Sequence, residues 1–202
     1  MADEDFIYER QRIGKVKLET VTDGTRYKGK VWYELARQIY CENGKDDFRD
    51  IGHFASGAPF LFGEDVRISI SHTQGCFAVA TINVPEGTDL SVFTPEAALG
   101  IDVEHADRSK ASELRERFLS EDELKMLPES SVENDLIAWT CKEAMLKAGM
   151  DNSIDWRNNI VITQLPAFST PGSGHILLND QIIKFTLTTL SLPPFIITIA
   201  TT

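Results

Sequence analysis

The stretch Leu99-Gly100-Ile101-Asp102-Val103-Glu104-His105 sets two acids one residue apart inside an apolar run, directly behind a glycine. Side chains alternate across a strand, so Ile101 and Val103 point to one face and Asp102 and Glu104 to the other. Two carboxylates sharing one face of a half-buried strand repel each other and resist desolvation. Positive charge is therefore expected beside them. The competing explanation is a solvated face on an amphipathic strand, which needs no function at all.

Downstream, Asn134 to Gly149 reads N-D-L-I-A-W-T-C-K-E-A-M-L-K-A-G, the strongest helical pattern in the chain. Ser130-x-x-Glu133 announces its start and Gly149 its stop. Positions 136, 140, 143 and 147 share a face, which makes Thr140, Glu143 and Lys147 a polar stripe. Ile137, Cys141, Ala144, Met145 and Ala148 are expected to be buried. Alone, Glu143 and Lys147 would be a surface pair contributing about 0.3–0.5 kcal/mol. Beside the two strand acids they read differently. Three carboxylates on two elements, with Lys142 and Lys147 alongside, suit a hard cation bound to a phosphate, because magnesium takes oxygen ligands and keeps several waters.

Upstream, Arg67 to His72 (R-I-S-I-S-H) alternates as a strand, Thr73-Gln74-Gly75 reads as a turn, and C-F-A-V-A-T-I follows as a more buried strand. At that strand end Ser71 and His72 are placed to donate hydrogen bonds into a cleft, or merely to shape the turn. Two features argue against a Ser–His nucleophilic pair: neighbours on a strand face opposite ways and the chain has no G-x-S-x-G.

Earlier still, Val31, Leu35 and Ile39, flanked by Trp32, Ala36 and Tyr40, fit a helix with Gly44 as its stop. Pro85-Glu86-Gly87-Thr88 opens a polar connector running to about Pro95. After Glu104, Asp107 or Ser109 is an N-cap candidate, and Ser120-Glu121-Asp122-Glu123 is a capping-box signature for a short helix ending before Pro128. From about Asn159 the pattern turns to strands, I-V-I-T, H-I-L-L, then I-I-K-F-T-L-T-T-L after an Asn179-Asp180 turn, and F-I-I-T-I-A-T-T. The expected fold is α+β, with two similar lobes in a pseudo-twofold arrangement, each an antiparallel sheet packed with helices. The lobes are expected at 1–94 and 95–202.

Bulk composition narrows the function classes. Thirty-one acids against twenty Lys and Arg give a net charge of −11, which argues against nucleic acid as a partner. Cys41, Cys76 and Cys141 form no C-x-x-C pair, and His53, His72, His105 and His175 lack zinc-like spacing. With no signal-peptide pattern and no apolar run of membrane-spanning length, a cytoplasmic protein without a membrane partner is expected.

Four motifs in order, I-S-I-S-H-T, G-I-D-V-E, R-F-L-S-x-x-E and W-T-C-K-E-A-M-L-K-A-G, resemble the 4′-phosphopantetheinyl transferase superfamily over roughly residues 55 to 150. The total extent is similar to its two-lobed, surfactin-synthetase-activating class, for which one chain suffices and a monomer is expected. The resemblance implies transfer of 4′-phosphopantetheine from coenzyme A to a serine of an acyl or peptidyl carrier protein, releasing adenosine 3′,5′-bisphosphate. It implies Mg²⁺ held by Asp102, Glu104 and Glu143. It makes Glu143, Lys147 and Asp102 the catalytic set, with Glu143 activating the serine. His72, Ser71, Lys142 and Lys147 would hold the coenzyme A phosphates, and Arg26, Lys28 and Lys30 would grip its 3′-phosphate. Where relatives carry G-K-P, this chain has Gly57-Ala58-Pro59, and Arg67 is one candidate to supply the missing charge. Two alternatives stay open: a magnesium-dependent nuclease or phosphohydrolase, and a scaffold that binds coenzyme A or a carrier protein without turnover.

Overall fold

Alternating residues near the start of the chain form a hairpin of β1 (Phe6–Ile13) and β2 (Val16–Asp23), turned at Gly14 with φ of 56°. Helix α1 (Gly29–Glu42) follows, then the short strands β3 (Ile51–His53) and β4 (Pro59–Leu61), then the hairpin of β5 (Val66–Thr73) and β6 (Cys76–Asn83). The connector after β6 ends in a 3₁₀ turn at Pro95–Ala97. Beyond it come β7 (Leu99–His105), α2 (Lys110–Phe118), α3 (Glu121–Met126) and α4 (Val132–Gly149). Strands β8 (Ile160–Gln164), β9 (Gly172–Leu178), β10 (Gln181–Leu192) and β11 (Phe195–Thr201) complete the chain. The computed structural model describes residues 6–23, 28–43, 50–151, 153–178 and 180–202. The candidate Arg26, the helix stop at Gly44 and Asn179 lie outside them.

The strands form a four-stranded sheet of order β1-β2-β6-β5 and a five-stranded sheet of order β7-β11-β10-β9-β8, with β3 and β4 as a separate ribbon. All pairings among the described residues are antiparallel, so the fold is α+β with antiparallel sheets packed by helices, as expected. Helix α1 covers the outer face of the first sheet, where Trp32, Ala36 and Tyr40 meet Val21, Phe77 and Val79. The inner faces of the two sheets pack together, Leu18, Ala78 and Ala80 against Ile101, Val103, Ile197 and Ile199. On the far face of the second sheet α4 buries Ala144 and Met145 among Ile160, Ile162, Ile176 and Ile196. Among the described residues no helix is long and apolar enough to cross a membrane.

Strand β7 therefore works on two faces. Ile101 and Val103 enter the apolar layer between the sheets, while Gly100, Asp102 and Glu104 face α4. Gly100 has to be glycine, because a Cβ there would stand 1.8 Å from the Ala144 carbonyl oxygen.

Four local expectations need correction. The buried stripe of α1 is Trp32, Ala36, Ile39 and Tyr40, and Val31 is exposed, because the sheet meets the helix one residue further round. Ser131, not Ser130, caps α4, accepting from the Asn134 amide at 3.1 Å; the Ser130 hydroxyl instead donates to Asp135. Gly149 is the last helical residue and Met150, at φ of 54°, adopts the left-handed stop. Ser109 begins α2 without a side-chain capping bond. The Ser120–Glu123 capping box forms as read.

Candidate functional site

Strands β5 and β7 belong to different sheets yet are stitched together by side chains. Arg67, Ser69 and Ser71 occupy one face of β5 by alternation. The amides of Ile101 and Val103 donate to the Ser69 and Ser71 hydroxyls at 3.1 and 3.2 Å. Two serines thus stand in for a backbone ladder at the meeting of the sheets.

The same junction gathers the polar residues. The Ser71 hydroxyl donates to Asp102 Oδ1 at 2.9 Å. Lys147 reaches across from α4, donating to Asp102 Oδ1 at 2.8 Å, to Ser71 Oγ at 3.0 Å and to the Ile101 carbonyl at 3.0 Å. Asp102 is only 5 % exposed, and its Oδ2 is buried with no hydrogen-bond partner. Such an atom is a costly vacancy in a protein interior unless something positive meets it.

Glu104, on the same face of β7, is paired with Arg108, whose guanidinium also sits 6.0 Å from the Trp139 ring centre. Burial pushes the Glu104 carboxyl above its ordinary range, and the negative charge of Asp102 adds to the shift despite Arg108. The Glu143 carboxyl is likewise raised, first by burial, then by Asp102 and Glu104, with Lys147 and Arg108 opposing. Asp102 thus acts on both glutamates, and Glu104 on Glu143. Even so, among the described residues no three acidic, histidine or cysteine side chains stand together as a preformed metal-ligand cluster.

A cleft of about 310 Å³ opens beside this junction. The cleft is lined by Ile70 and His72 of β5, by Ser56, Gly57 and Ala58 of the β3–β4 turn, by Leu146 and Lys147 of α4, and by Met150 just past the helix end. His72 packs its ring on Tyr33 at 4.6 Å. Burial and the nearby Lys147 ammonium lower its pKa. Behind His72 and Tyr33 lies a second hollow of about 340 Å³, bordered by Gly29, Lys30 and Gln74. Lys30 is exposed beside Glu34 at 3.5 Å, and Lys28 is the exposed residue preceding the first turn of α1.

Arg67 lines the cleft, but its guanidinium is engaged by the connector, donating to the Leu90 and Val92 carbonyls at 2.7 and 3.0 Å. It ties down residues 90–94 while the Ala58 position brings no charge of its own.

Lys142 lies elsewhere. Its ammonium is 0 % exposed and donates to Glu123 Oε2 at 2.8 Å and to the Ile160 and Trp156 carbonyls at 2.6 and 3.2 Å. Glu123 in turn accepts from the Ser120 and Ile162 amides, both at 2.8 Å. The expectation that Lys142 touches a phosphate is therefore corrected: it bolts α4 to α3 and β8, because a step of one residue round the helix turns it from the cleft into the core. Thr140 is also buried, donating to the Ile137 carbonyl and sharing a hydrogen bond with Thr198 rather than standing on an open polar stripe.

Of the residues named from the sequence, the structure joins Ser71, Asp102 and Lys147 by hydrogen bonds, while His72, Glu104 and Glu143 lie within electrostatic reach of Asp102 and Lys147. Sequence reasoning missed Ser69, which the S-I-S alternation could have flagged, and Arg108, four residues after Glu104. It also missed Glu123 as the partner of Lys142, for which no local signal exists.

Comparison with known families gives one match: the model described as the 4′-phosphopantetheinyl transferase superfamily fits residues 98–199, half of the 202-residue chain. That span runs from β7 through α4 to β11. No curated protein matches.

Proposed function

The chain belongs to the 4′-phosphopantetheinyl transferase superfamily, and from that premise we propose that it moves 4′-phosphopantetheine from coenzyme A to a serine of an acyl or peptidyl carrier protein. Membership brings phosphopantetheine transfer in general, with coenzyme A as substrate and a carrier protein as partner. The finer reading is ours: a two-lobed, surfactin-synthetase-activating type of holo-carrier-protein synthase, working as a cytoplasmic monomer, with lobes at 1–94 and 95–202. The observation that carries it is the junction itself. Ser71 of β5, Asp102 of β7 and Lys147 of α4 share one hydrogen-bond network at the edge of a cleft walled by both halves of the chain.

In this reading the serine oxygen attacks the phosphorus on the pantetheine side of the pyrophosphate. That O–P bond forms, the bond to the adenosine-side phosphate breaks, and adenosine 3′,5′-bisphosphate leaves. Lys147 and His72 bind the phosphate oxygens, on which charge gathers in the transition state. Glu143 accepts the serine proton, a task matched by a carboxyl whose burial and neighbours raise its basicity. Lys30 borders the second hollow and, with Lys28 and Arg26, is assigned to the 3′-phosphate.

Asp102, Glu104 and Glu143 fit a magnesium ion on one observation, the bare and buried Oδ2 of Asp102 beside two further carboxyls whose protons its charge helps to hold. A bound divalent cation would supply charge neutralisation to the pyrophosphate. The test is incubation of the full chain with coenzyme A, Mg²⁺ and a panel of apo carrier proteins, read by intact mass. A carrier should gain one phosphopantetheine, and the Glu143→Gln variant should lose at least about a hundredfold in rate, in the range of a general base. A broad panel without any mass gain would remove the proposal. Hydrolysis of a nucleotide instead would point to a phosphohydrolase.

A further inference from the structure

Asp102 carries two contradictory marks. Its Oδ1 is saturated by the Ser71 hydroxyl and the Lys147 ammonium, while its Oδ2 is buried and bare. Lys147 is itself fully engaged by Asp102, Ser71 and the Ile101 carbonyl, although its side chain remains 31 % exposed toward the cleft. A lysine so placed can swing between two anions without unfolding anything, because its four-carbon stem is flexible and its charge compact. We propose that Lys147 is a placeholder counter-ion, competing with a divalent cation for Asp102 until a phosphate group in the cleft draws its ammonium away.

The competition follows from charge. A divalent ion at the bare Oδ2 would sit against an ammonium already bound to the other oxygen of the same carboxylate, and like charges at that range repel strongly in a buried site. Arg108 holds Glu104 in the same manner. The chain's own cations therefore neutralise Asp102 and Glu104 before any metal arrives. Once an anionic phosphate offers Lys147 an equal partner, Asp102 is released. Metal and phosphate ligand then each favour the other by the same factor, as linkage requires. Lys147 couples the two and disfavours the metal-bound, substrate-free form.

This inference rests on the transferase reading for the identity of the phosphate ligand, but its test does not need turnover. Mn²⁺ binding to the full chain is measured by electron paramagnetic resonance of the free ion, with and without coenzyme A. It is repeated for Lys147→Gln, which keeps a donor for Ser71 and the Ile101 carbonyl, and for Lys147→Arg, which keeps the charge. Without coenzyme A, Lys147→Gln should bind Mn²⁺ about tenfold tighter than the wild type, a usual size for such coupling. Lys147→Arg should bind as weakly as the wild type. Coenzyme A should tighten Mn²⁺ binding in the wild type more than in Lys147→Gln. Equal or weaker Mn²⁺ binding by Lys147→Gln overturns the proposal. So does a wild type whose Mn²⁺ affinity ignores coenzyme A, a result that needs no variant to fold. Carrier modification assayed in parallel separates the two readings: tightening without transfer leaves the competition standing and sinks the transferase, and transfer without tightening does the reverse.

Discussion

His72 is a single side chain whose protonation reports on the cleft. Burial first and the Lys147 ammonium second hold its imidazole below the ordinary value of 6.5, and Asp102 only partly opposes them. Unfolded chain takes up this proton first as pH falls, so the folded state binds fewer protons between 6.5 and the lowered value. The contribution of His72 to stability is therefore present above 6.5 and lost as pH falls through the folded pKa. A phosphate arriving beside the ring favours the imidazolium and lifts that pKa. Coenzyme A binding near pH 6.5 should accordingly take up protons, measured by calorimetry in buffers of different ionisation enthalpy. His72→Gln should abolish most of the uptake. Equal uptake in the variant would put His72 away from the phosphates.

Helix α4 presents two lysines five residues apart, both expected from the sequence to hold the coenzyme A phosphates. Their surroundings separate them. Lys142 closes a fully buried pair with Glu123, and burial pushes its ammonium below the ordinary lysine value against the pull of that carboxylate. Lys142→Met would leave Glu123 buried without its counter-charge, at a cost of about 3–5 kcal/mol in chemical denaturation. The fraction that stays folded should keep its KM for coenzyme A, whereas a lysine on the phosphate would raise KM with little change in stability. Legibility divides along the same line. Period-two alternation in β7 and β5 was enough to assign Ile101 and Val103 to the core and Ser71 and Asp102 to a polar face, because that pattern is local. The role of Ser69 required knowing which strand lies beside β5, and the role of Lys142 required knowing that α3 delivers Glu123 beneath α4. The start and stop of α4 each moved by one residue, since Ser130 found Asp135 and Met150 took the left-handed position. Terminal geometry of that kind is decided by tertiary contacts that local rules do not contain.

At the scale of the whole molecule, β7 is the strand that joins the two halves. One of its faces packs the first sheet, the other supports α4, and its amides reach the β5 serines. The cleft follows from this: it has walls only where the two halves meet. The apolar layer between the sheets includes Val16, Leu18, Ala78 and Ala80 from the first half and Leu99, Ile101, Val103 and Ile197 from the second, each at most 3 % exposed. Cutting the chain between residues 94 and 95 would leave each piece exposing one side of that layer, a patch large enough to drive association. Expressed alone, residues 1–94 and 95–202 should aggregate or stay unfolded. Co-expressed, they should form a one-to-one complex that regains coenzyme A binding, because the sheets bury each other again and Lys147 recovers Ser71. Size-exclusion chromatography with coenzyme A titration reads both points. If residues 95–202 alone were a folded monomer binding coenzyme A as tightly as the full chain, the first half would contribute nothing to the cleft, and the assignment of Ser71 and His72 to it would fall.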